Sequence, residues 1–446
     1  MAAHEFDVLV VGSGPGGATA AYYLARHGVN VAVVDKSSFP REKVCGDGLT
    51  PRAVKALMDM GIDTTEPGFV RVDGLRVYGR RAKLDLPWPT LSDWPGYGLV
   101  RTRLDFDEVL VRQAVRAGTT LWERAEATAP VMDDGWVAGA TVRRLEEREP
   151  VAVGATLGVA DRVEGPGRAG NERNRPREDP LPEPEEVRAR FVIAADGASS
   201  RFAGQAGVRR DTTRPLGIAA RRYYRMTRPQ IPMLEAWLDL WEKDAILPGY
   251  GWIFPLHDDV VNVGAGLLNT FKGFKDISAK RIFDVFVRML PEEWGITEDT
   301  AVGPVKSGPL PMGFNRRPLS QPGMLVIGDA GGLVNPFNGE GISYAMETGK
   351  LAAELVYESL ATGKPGLAHV YPTLVHDRYG KYYFMGNTFV KLIGDPRIMR
   401  FATDHGLHRA WIMRFAMRVL ANLSDGSKGD FQDRLFSAME RLAPVA

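Results

Sequence analysis

The sequence of 446 residues contains a single cysteine, Cys45. An internal disulfide is therefore excluded, and so is a metal cluster held by several cysteines of one chain. Lysine and arginine together number 56 against 55 aspartates and glutamates, which leaves a formal net charge of +1. Nucleic-acid binding usually needs a strongly basic face. We therefore expect a protein of a reducing compartment that does not bind nucleic acid.

Long apolar runs are also missing. No stretch reaches the ~18–20 uninterrupted apolar residues that span a bilayer. The N-terminus enters its first apolar run at Phe6 without the basic segment and cleavage site of a secretory signal. We therefore expect a cytoplasmic location, with association at the inner face of the cell membrane as an open alternative.

The N-terminal residues have the pattern of a βαβ unit. Phe6–Val11 and Val29–Val34 are short, apolar, β-branched runs, which is typical of buried parallel strands. Residues 15–27 between them carry Ala, Tyr and Leu at helical spacing. The turn before this helix is rich in glycine and consists of Gly12, Ser13, Gly14, Pro15, Gly16 and Gly17. Such glycines permit a tight turn and let the backbone approach a pyrophosphate at the N-terminus of the helix.

A carboxylate follows the second strand of this unit. Asp35, with Lys36 after it, stands about 20 residues beyond the glycine motif, where a carboxylate accepts hydrogen bonds from the ribose hydroxyls of an adenosine. The sequence therefore predicts a Rossmann-type unit that binds a dinucleotide.

Two more carboxylates follow predicted buried strands. Asp196 comes after residues 191–195, and the pair Gly328-Asp329 comes after residues 324–327. Ligands of open α/β sheets bind at the carboxyl ends of the strands. The order of these motifs resembles the para-hydroxybenzoate hydroxylase-like superfamily of flavoproteins. The resemblance implies that the cofactor is FAD, with Asp329 at the ribityl chain and Asp196 near the pyrophosphate. Arg103 matches the arginine that contacts the cofactor in that superfamily, and Arg101 is the alternative.

The segment NPFNGEG at 335–341 leads into a helix predicted from Ile342 to Leu360. Its proline and its glycines, among them Gly339 and Gly341, suit a rigid loop against a planar ring. The positive end of the helix favours the negative charge of a reduced flavin. The other interpretation is an ordinary entry into a helix, with Asn338 as the cap.

Pattern and composition divide the chain into segments. We predict an α/β fold with a Rossmann-type FAD-binding domain at 1–210, an antiparallel-sheet substrate domain at 211–320, a returning FAD-binding segment at 321–364 and a C-terminal helical region at 365–446. Residues 161–186 have no aromatic side chain and few large apolar ones, which predicts a flexible insertion. Segment 408–420 is apolar around most of a helix, with Arg414 and Arg418 in one strip. Such a helix either lies at a lipid interface or packs into the core.

Three aromatic residues alternate in the run YGWIFP. If this run is a strand, Tyr250, Trp252 and Phe254 point to the same face. An aromatic stripe of this kind is either part of a core or the wall of a groove for a long hydrocarbon, and periodicity alone does not decide between them.

A second resemblance concerns the substrate. The runs PREKVCGDG at 40–48, YGWIFP at 250–255 and NGEG at 338–341 are together similar to the geranylgeranyl reductase family. The longer runs CGDGLTPRAV, LPGYGWIFPL and NGEGISYAMETGKLAAE resemble the branch of that family that saturates an isoprene unit in the side chain of menaquinone. The resemblance implies that Tyr250, Trp252 and Phe254 line a prenyl cavity. It also implies that Lys43, Cys45 and Gly46 lie beside the flavin.

The resemblance thus implies an FAD-dependent oxidoreductase that acts on a CH–CH group of a polyprenyl lipid. The substrate is then the side chain of menaquinone, or else geranylgeranyl diphosphate or a geranylgeranyl lipid. The flavin would supply a hydride, and Cys45, Tyr250 or an ordered water would supply the proton; Trp252 completes the predicted catalytic set. Since the sequence has no second GxGxxG motif, the electron donor is open between NAD(P)H and another carrier. No metal is expected.

Two other interpretations of these residues remain open. One is a flavin monooxygenase or halogenase of the same fold, which activates oxygen instead of reducing an alkene. The other is a non-catalytic flavoprotein whose C-terminal helices dock to a membrane or a protein.

Overall fold

The computed structural model describes residues 4–79, 82–145, 183–242, 245–247, 249–271, 273–406, 409–426 and 429–444. The helices are α1 (Pro15–Arg26), α2 (Pro51–Asp59), α3 (Arg103–Arg116), α4 (Arg201–Gln205), α5 (Ala279–Met289), α6 (Ile342–Thr362), α7 (Tyr371–Ile393), α8 (Pro396–Gly406), α9 (Ala410–Ala421) and α10 (Phe431–Leu442). The strands are β1 (His4–Val11), β2 (Val31–Val34), β3 (Gly48–Leu49), β4 (Val70–Val72), β5 (Gly74–Gly79), β6 (Ala82–Pro87), β7 (Gly98–Val100), β8 (Thr120–Trp122), β9 (Ala125–Asp133), β10 (Trp136–Arg144), β11 (Glu185–Ala194), β12 (Arg209–Arg210), β13 (Leu216–Arg225), β14 (Met233–Trp237), β15 (Leu240–Glu242), β16 (Ala245–Leu247), β17 (Tyr250–Pro255), β18 (Val260–Leu268), β19 (Ala301–Pro311), β20 (Arg316–Arg317), β21 (Ser320–Gln321) and β22 (Met324–Val326).

The first large sheet is built around the N-terminal strand. Its order is β21-β22-β11-β1-β2-β8, and the pairings of β22, β11, β1, β2 and β8 are parallel. The antiparallel hairpin β9-β10 joins the sheet along β11. Since these five strands are parallel, the residues that follow β1, β2, β11 and β22 meet at one edge, where Gly12, Asp35, Asp196 and Gly328 are found.

The strand β11 begins earlier than the sequence suggested. It starts at Glu185, so Glu185 and Glu186, which we had assigned to the end of the flexible insertion, pair with β10 in the sheet. Most of the predicted insertion lies outside the described residues.

The second large sheet has the order β19-β13-β18-β17-β14-β5-β6. It is antiparallel except that β14 pairs with β5 in parallel. Its strands β5 and β6 come from residues that the sequence-based boundaries placed in the first domain, because a long-range parallel pairing leaves no local pattern. One face packs on α5, where Val261, Val263 and Ala265 of β18 share a core with Ile282 and Phe286. The predicted α/β class with a second sheet and C-terminal helices is confirmed.

The helix predicted at 408–420 is α9, and it combines features of both interpretations. Met413 and Met417 are buried against the second sheet, whereas Trp411 is 59% exposed. The two arginines do not form a shared basic strip. Arg414 is exposed, while Arg418 pairs with Asp430 at 2.8 Å and with Asp433 at 2.9 Å. In the part of the chain that the structure describes, no helix is long and apolar enough to span a bilayer.

A buried ion pair joins α2 to α6. Arg52 Nε lies 2.6 Å from Glu347 Oε1, and Arg52 Nη2 donates a hydrogen bond to Glu347 Oε2 at 2.9 Å. Arg52 also donates to the carbonyl of Asn422 at 2.8 Å, and the Tyr379 hydroxyl donates to Glu347. The attraction of Arg52 holds the pKa of Glu347 below its usual value despite burial. The pair therefore fixes the end of α9 and the start of α2 against α6.

We predict that Glu347→Ala lowers the free energy of unfolding by about 3–5 kcal/mol, because it leaves the buried Arg52 charge without a counter-ion. Urea denaturation followed by circular dichroism measures this. Glu354→Ala on the same helix is the matched control, since the Glu354 carboxylate is exposed and 4.0 Å from Lys350. An exposed pair contributes only ~0–1 kcal/mol. Equal losses in the two variants would contradict the structural role of the buried pair.

Candidate active site

A single cavity of about 1650 Å³ runs between the carboxyl edge of the first sheet, the second sheet and the C-terminal helices. Ligand pockets commonly measure ~300–1,000 Å³, so this cavity has room for more than one small ligand. The predicted site residues that line it are Gly12, Gly14, Pro15, Gly16, Asp35, Lys36, Cys45, Gly46, Arg103, Asp196, Tyr250, Trp252, Phe254, Gly328, Asp329, Gly339, Gly341 and Ile342. Lys43 lines it as well. Two predicted residues, Ser13 and Gly17, do not.

The glycines of the turn at 12–17 differ in what they contribute. Some permit close packing of the backbone, and one leaves the backbone accessible to a ligand. Gly12 has φ +97°, and a Cβ there would lie 2.5 Å from the carbonyl oxygen of Ala195. A Cβ at Gly17 would overlap the carbonyl of Gly12, so this glycine permits the close packing of α1 on β1. By contrast, a Cβ at Gly14 would find no atom nearer than the Arg41 guanidinium at 3.7 Å. The backbone at Gly14 is therefore open to a ligand in the cavity.

Hydrogen bonds from neighbouring residues fix the orientation of the Asp35 carboxylate. Ser13 donates to Asp35 Oδ2 from its backbone N–H at 2.9 Å and from its hydroxyl at 2.6 Å. The N–H of Ser37 donates to Asp35 Oδ1 at 2.9 Å. Ser13 thus orients the carboxylate rather than facing the cavity, while Asp35 itself reaches it.

Arg103 lies at the cavity wall and is anchored by a carboxylate. Its Nε and Nη2 donate to Asp107 at 2.6 and 2.7 Å, and Arg41 Nη2 lies 2.9 Å from the same carboxylate. Arg101, the alternative, pairs with Asp105 instead and is not among the lining residues. Sequence reasoning did not find Asp107 or Arg41, although the spacing of four residues from Arg103 to Asp107 on α3 is a visible signal for an ion pair.

Asp196 and Asp329 both have a raised pKa because burial disfavours their charged forms. Asp196 accepts from the N–H of Phe202 at 2.9 Å. Burial raises the pKa of Asp329 against the opposing attraction of Lys43, Arg103 and Arg316. A half-buried carboxylate near cations and facing a cavity is suited to accept hydrogen bonds from a hydroxylated ligand.

The loop at 335–341 is fixed before α6 begins. Asn335 donates to the Tyr382 hydroxyl and to the carbonyl of Leu420, both at 3.0 Å, and its own Oδ1 accepts from the N–H of Phe337. Gly339 has φ +78°, and a Cβ there would lie 3.2 Å from the Tyr250 hydroxyl. The loop predicted to face the flavin therefore meets the first residue of the aromatic run.

Tyr250, Trp252 and Phe254 share one face of β17. The distance between ring centroids is 5.7 Å for Tyr250 and Trp252, and 6.3 Å for Trp252 and Phe254. In the register, Trp252 lies opposite Gly264 and Tyr250 opposite Gly266 of β18. A Cβ at Gly264 would overlap the Trp252 ring, so the ring lies flat against the neighbouring strand. The three rings line the cavity and form an apolar surface, which we call the aromatic wall.

The segment 40–48 packs against this wall. A Cβ at Gly46 would lie 3.2 Å from the Phe254 ring and 3.4 Å from Trp252 Nε1. Cys45 is partly exposed and lines the cavity. Burial raises the pKa of the Cys45 thiol and that of Tyr250, the latter to about 12. Both groups therefore keep their protons at neutral pH. Sequence reasoning missed Asp47 and Asn262, which hold this segment through contacts with no local pattern.

Apolar side chains of the C-terminal helices form a further part of the cavity lining, which the sequence did not predict. These side chains come from α7 to α10 and include Met385, Phe389, Leu392, Phe401, Ile412, Met413, Phe415, Met417, Met439 and Leu442. The sequence indicated that segment 408–420 is apolar around most of a helix. This pattern does not show which residues or ligands the helix faces.

The residues at the polar end fit FAD. The open backbone at Gly14 and the N-terminus of α1 suit a pyrophosphate, Asp35 suits ribose hydroxyls, and Asp329 suits a hydroxylated chain. Among the described residues, no group of three or more His, Cys, Asp or Glu side chains is arranged to hold a metal ion.

The sequence is similar to known proteins over nearly its whole length. The FAD binding domain family matches residues 5–239. A menaquinone reductase of Mycobacterium tuberculosis is 34% identical over 431 residues, which cover 96% of this chain and 94% of that protein. A digeranylgeranylglycerophospholipid reductase of Thermoplasma volcanium is 28% identical over 379 residues and 84% of each chain.

A solved structure shares the fold. The geranylgeranyl bacteriochlorophyll reductase-like protein of Thermoplasma acidophilum superposes with a TM-score of 0.74 at 22% sequence identity. The match covers 98% of this chain and 100% of that one.

We predict that the purified protein is yellow, and that Asp329→Ala weakens FAD binding by about 1–3 kcal/mol because a charge-assisted hydrogen bond is lost. Fluorescence titration of the apoprotein with FAD gives the Kd of each variant. Asp133→Ala, at the exposed end of β9, controls for the loss of a carboxylate. A wild-type protein that takes up no FAD on reconstitution, or an Asp329→Ala protein with an unchanged Kd, would contradict the assignment.

Proposed function

Because the chain belongs to the family of FAD-binding oxidoreductases that includes the menaquinone reductases, we propose that it saturates an isoprene double bond in the side chain of a polyprenyl quinone. The protein is an FAD-dependent oxidoreductase. The observation that carries the proposal is the continuity of the cavity. The same cavity is lined by the dinucleotide residues, by the aromatic wall and by apolar side chains of the C-terminal helices. A long hydrocarbon that must reach a flavin needs such a path.

In this proposal each part of the cavity has its own task. Gly14, Asp35, Arg103 and Asp329 hold FAD, which supplies the hydride when it is reduced. The rings of Tyr250, Trp252 and Phe254 bind the prenyl chain and exclude water from the reacting carbons. An alkene that lies against the aromatic wall is then near the loop at 335–341, because a Cβ at Gly339 would lie 3.2 Å from the Tyr250 hydroxyl.

The proton donor is drawn from Cys45, Tyr250 and an ordered water. An isolated alkene is a weak electrophile, so a proton must reach one carbon as the hydride reaches the other. The raised pKa values of the Cys45 thiol and of Tyr250 keep both groups protonated before the reaction. The group that gives up its proton must then be reprotonated by a second donor. The flavin is reduced by NAD(P)H or another electron carrier.

A geranylgeranyl lipid is the second candidate substrate. The 28% identity to a digeranylgeranylglycerophospholipid reductase supports it, since both substrates offer the same trisubstituted alkene to the aromatic wall. The two candidate substrates differ in the polar group to which the prenyl chain is attached.

We predict that the protein, reduced anaerobically with dithionite, adds two hydrogens to the side chain of menaquinone. The product is extracted in air before mass spectrometry, so that the naphthoquinone ring returns to its oxidised form and only hydrogens on the chain are counted. Fragmentation then places the reduced isoprene unit. Parallel reactions with a geranylgeranyl phospholipid and with geranylgeranyl diphosphate test the other substrates.

Trp252→Ala is expected to lower kcat/KM about tenfold or more, because the prenyl chain loses part of its apolar wall. Loss of a buried aromatic costs ~3–5 kcal/mol of stability, so thermal unfolding is measured alongside. Trp294→Ala is the control, since Trp294 packs on Tyr78 and Trp237 away from the cavity. If an oxygenated product forms in air and no hydrogenated product forms under anaerobic conditions, the protein is instead a monooxygenase or halogenase. No reaction with any of the three lipids would overturn the proposed substrate class.

We further propose that the protein binds to the inner face of the membrane by the mouth of this cavity. Leu392, Phe401 and Leu442 line the cavity, yet their exposed fractions are 52%, 66% and 86%. Residues that line a cavity and are exposed mark its opening. Arg409 also lines the cavity and is exposed. Apolar side chains with an arginine at one opening suit the interface of an anionic bilayer, from which a polyprenyl lipid can enter.

Flotation with phosphatidylglycerol vesicles at low salt tests this binding. We expect the wild-type protein to float, and the Phe401→Ala, Leu442→Ala double variant to bind about tenfold or more weakly, because each large apolar side chain contributes ~1.5–3 kcal/mol on burial. Met132→Ala is the control, since Met132 is 54% exposed on β9 and does not line the cavity. If the wild-type protein remains in the soluble fraction, or if the double variant floats equally well, the proposed mode of binding is wrong.

A further inference from the structure

One polar side chain interrupts the face of β18 that looks toward the aromatic wall. Asn262 lies opposite Phe254 in the register and is fully buried, and Gly264 and Gly266 follow it on the same face. A buried amide is costly unless its donors and its acceptor find partners. The partners of Asn262 therefore show what this residue contributes.

Asn262 joins the aromatic wall to the segment 40–48, which we call the reacting loop. Its Oδ1 accepts from Trp252 Nε1 at 3.0 Å. Its Nδ2 donates to the carbonyl oxygen of Cys45 at 2.9 Å and to Asp47 Oδ2 at 2.7 Å. One amide group thus sets both the edge of the indole and the backbone of the residue whose thiol faces the cavity.

Asp47 holds the reacting loop from two other sides. Its carboxylate accepts from the Tyr223 hydroxyl on β13 at 2.7 Å and from the N–H of Arg103 at 3.1 Å. The residue is fully buried and has φ +66°, a left-handed conformation that is uncommon for non-glycine residues. The same carboxylate therefore connects the loop to the second sheet and to the start of α3.

We propose that Asn262 and Asp47 are positioning residues, which fix Cys45 and Trp252 relative to each other and so determine where the alkene lies. Neither residue donates the proton or contacts the reacting carbons. The inference rests on the proposed function, because it concerns the placement of that substrate. The placement of the loop itself is measurable without any substrate.

Cys45 is the only cysteine of the chain, so its alkylation reports on the reacting loop alone. In the FAD-loaded protein we expect Asn262→Ala to accelerate the reaction of Cys45 with N-ethylmaleimide about tenfold, the effect of one lost hydrogen-bond anchor. The rate of side-chain reduction should fall by a similar factor, with the Kd for FAD within about twofold of wild type. The matched control is Asn269→Ala, because Asn269 lies just beyond the end of β18 and its Oδ1 accepts a part-buried hydrogen bond from the N–H of Leu216 at 2.8 Å.

Asn262→Asp supplies a readout that a merely structural residue would not move. The new carboxylate still accepts from Trp252 but lies beside the Asp47 carboxylate, among Tyr223, Arg103, Arg221 and Cys45. Two adjacent carboxylates share a proton, which raises one of their pKa values. At high pH both carboxylates are charged and repel each other, so Cys45 alkylation in this variant should be fast after correction for the thiolate fraction. As the pH falls, one carboxylate takes up a proton, and the corrected rate should decrease to that of the wild-type protein.

The outcomes separate the two proposals. If wild-type protein reduces no polyprenyl substrate, the proposed function fails, while the alkylation rates still decide whether Asn262 holds the loop. If wild-type protein is active and Asn262→Ala alkylates and turns over at wild-type rates, the positioning role is overturned. Should Asn262→Ala not fold, Asp47→Asn replaces it, with the same expectation and the same contradicting result. Parallel loss of FAD binding and activity in every variant would also overturn it.

Discussion

Trp252 can lie flat against β18 only because position 264 of that strand has no side chain. The edge of the ring is fixed as well, since its N–H donates to Asn262 on the same face of the strand. A ring held at its face and at its edge has one position. The loop that carries Cys45 is attached to the same amide, so the sequence Asn-Val-Gly-Ala-Gly at 262–266 fixes the aromatic wall and the reacting loop together.

Two parts of the cavity lining differ in chemistry, and each part suits a different ligand. At the sheet edge, an ion-paired arginine, several buried carboxylates and an open glycine backbone suit a charged dinucleotide. Toward α7 to α10 the lining is apolar and suits a hydrocarbon. The two environments meet where Tyr250 contacts the loop at 335–341. Burial at this junction also keeps the thiol and the phenol protonated, which is the state that a proton donor needs.

Features that depend on local spacing were predictable from the sequence. The glycine turn with Asp35 follows from one βαβ unit, and the shared face of Tyr250, Trp252 and Phe254 follows from the period of a strand. The contact between Asn262 and Asp47 was not predictable, because the two residues are 215 residues apart and the run PREKVCGDG around Asp47 does not show what its carboxylate meets. The entry of β5 and β6 into the second sheet has the same cause. Ser13 was assigned to the cofactor by its place in the glycine motif, whereas its side chain points to Asp35.

The proposed function requires that flavin and prenyl chain occupy one cavity and meet at the aromatic wall. The decisive measurement is a crystal structure of the FAD-loaded protein with a bound polyprenyl quinone. We expect the chain to lie along Trp252, one of its double bonds to be placed between Cys45 and the loop at 335–341, and the remainder to extend between α7 and α9. A chain bound outside this cavity, or a complex in which the quinone ring rather than an alkene faces the flavin, would show that this arrangement is wrong.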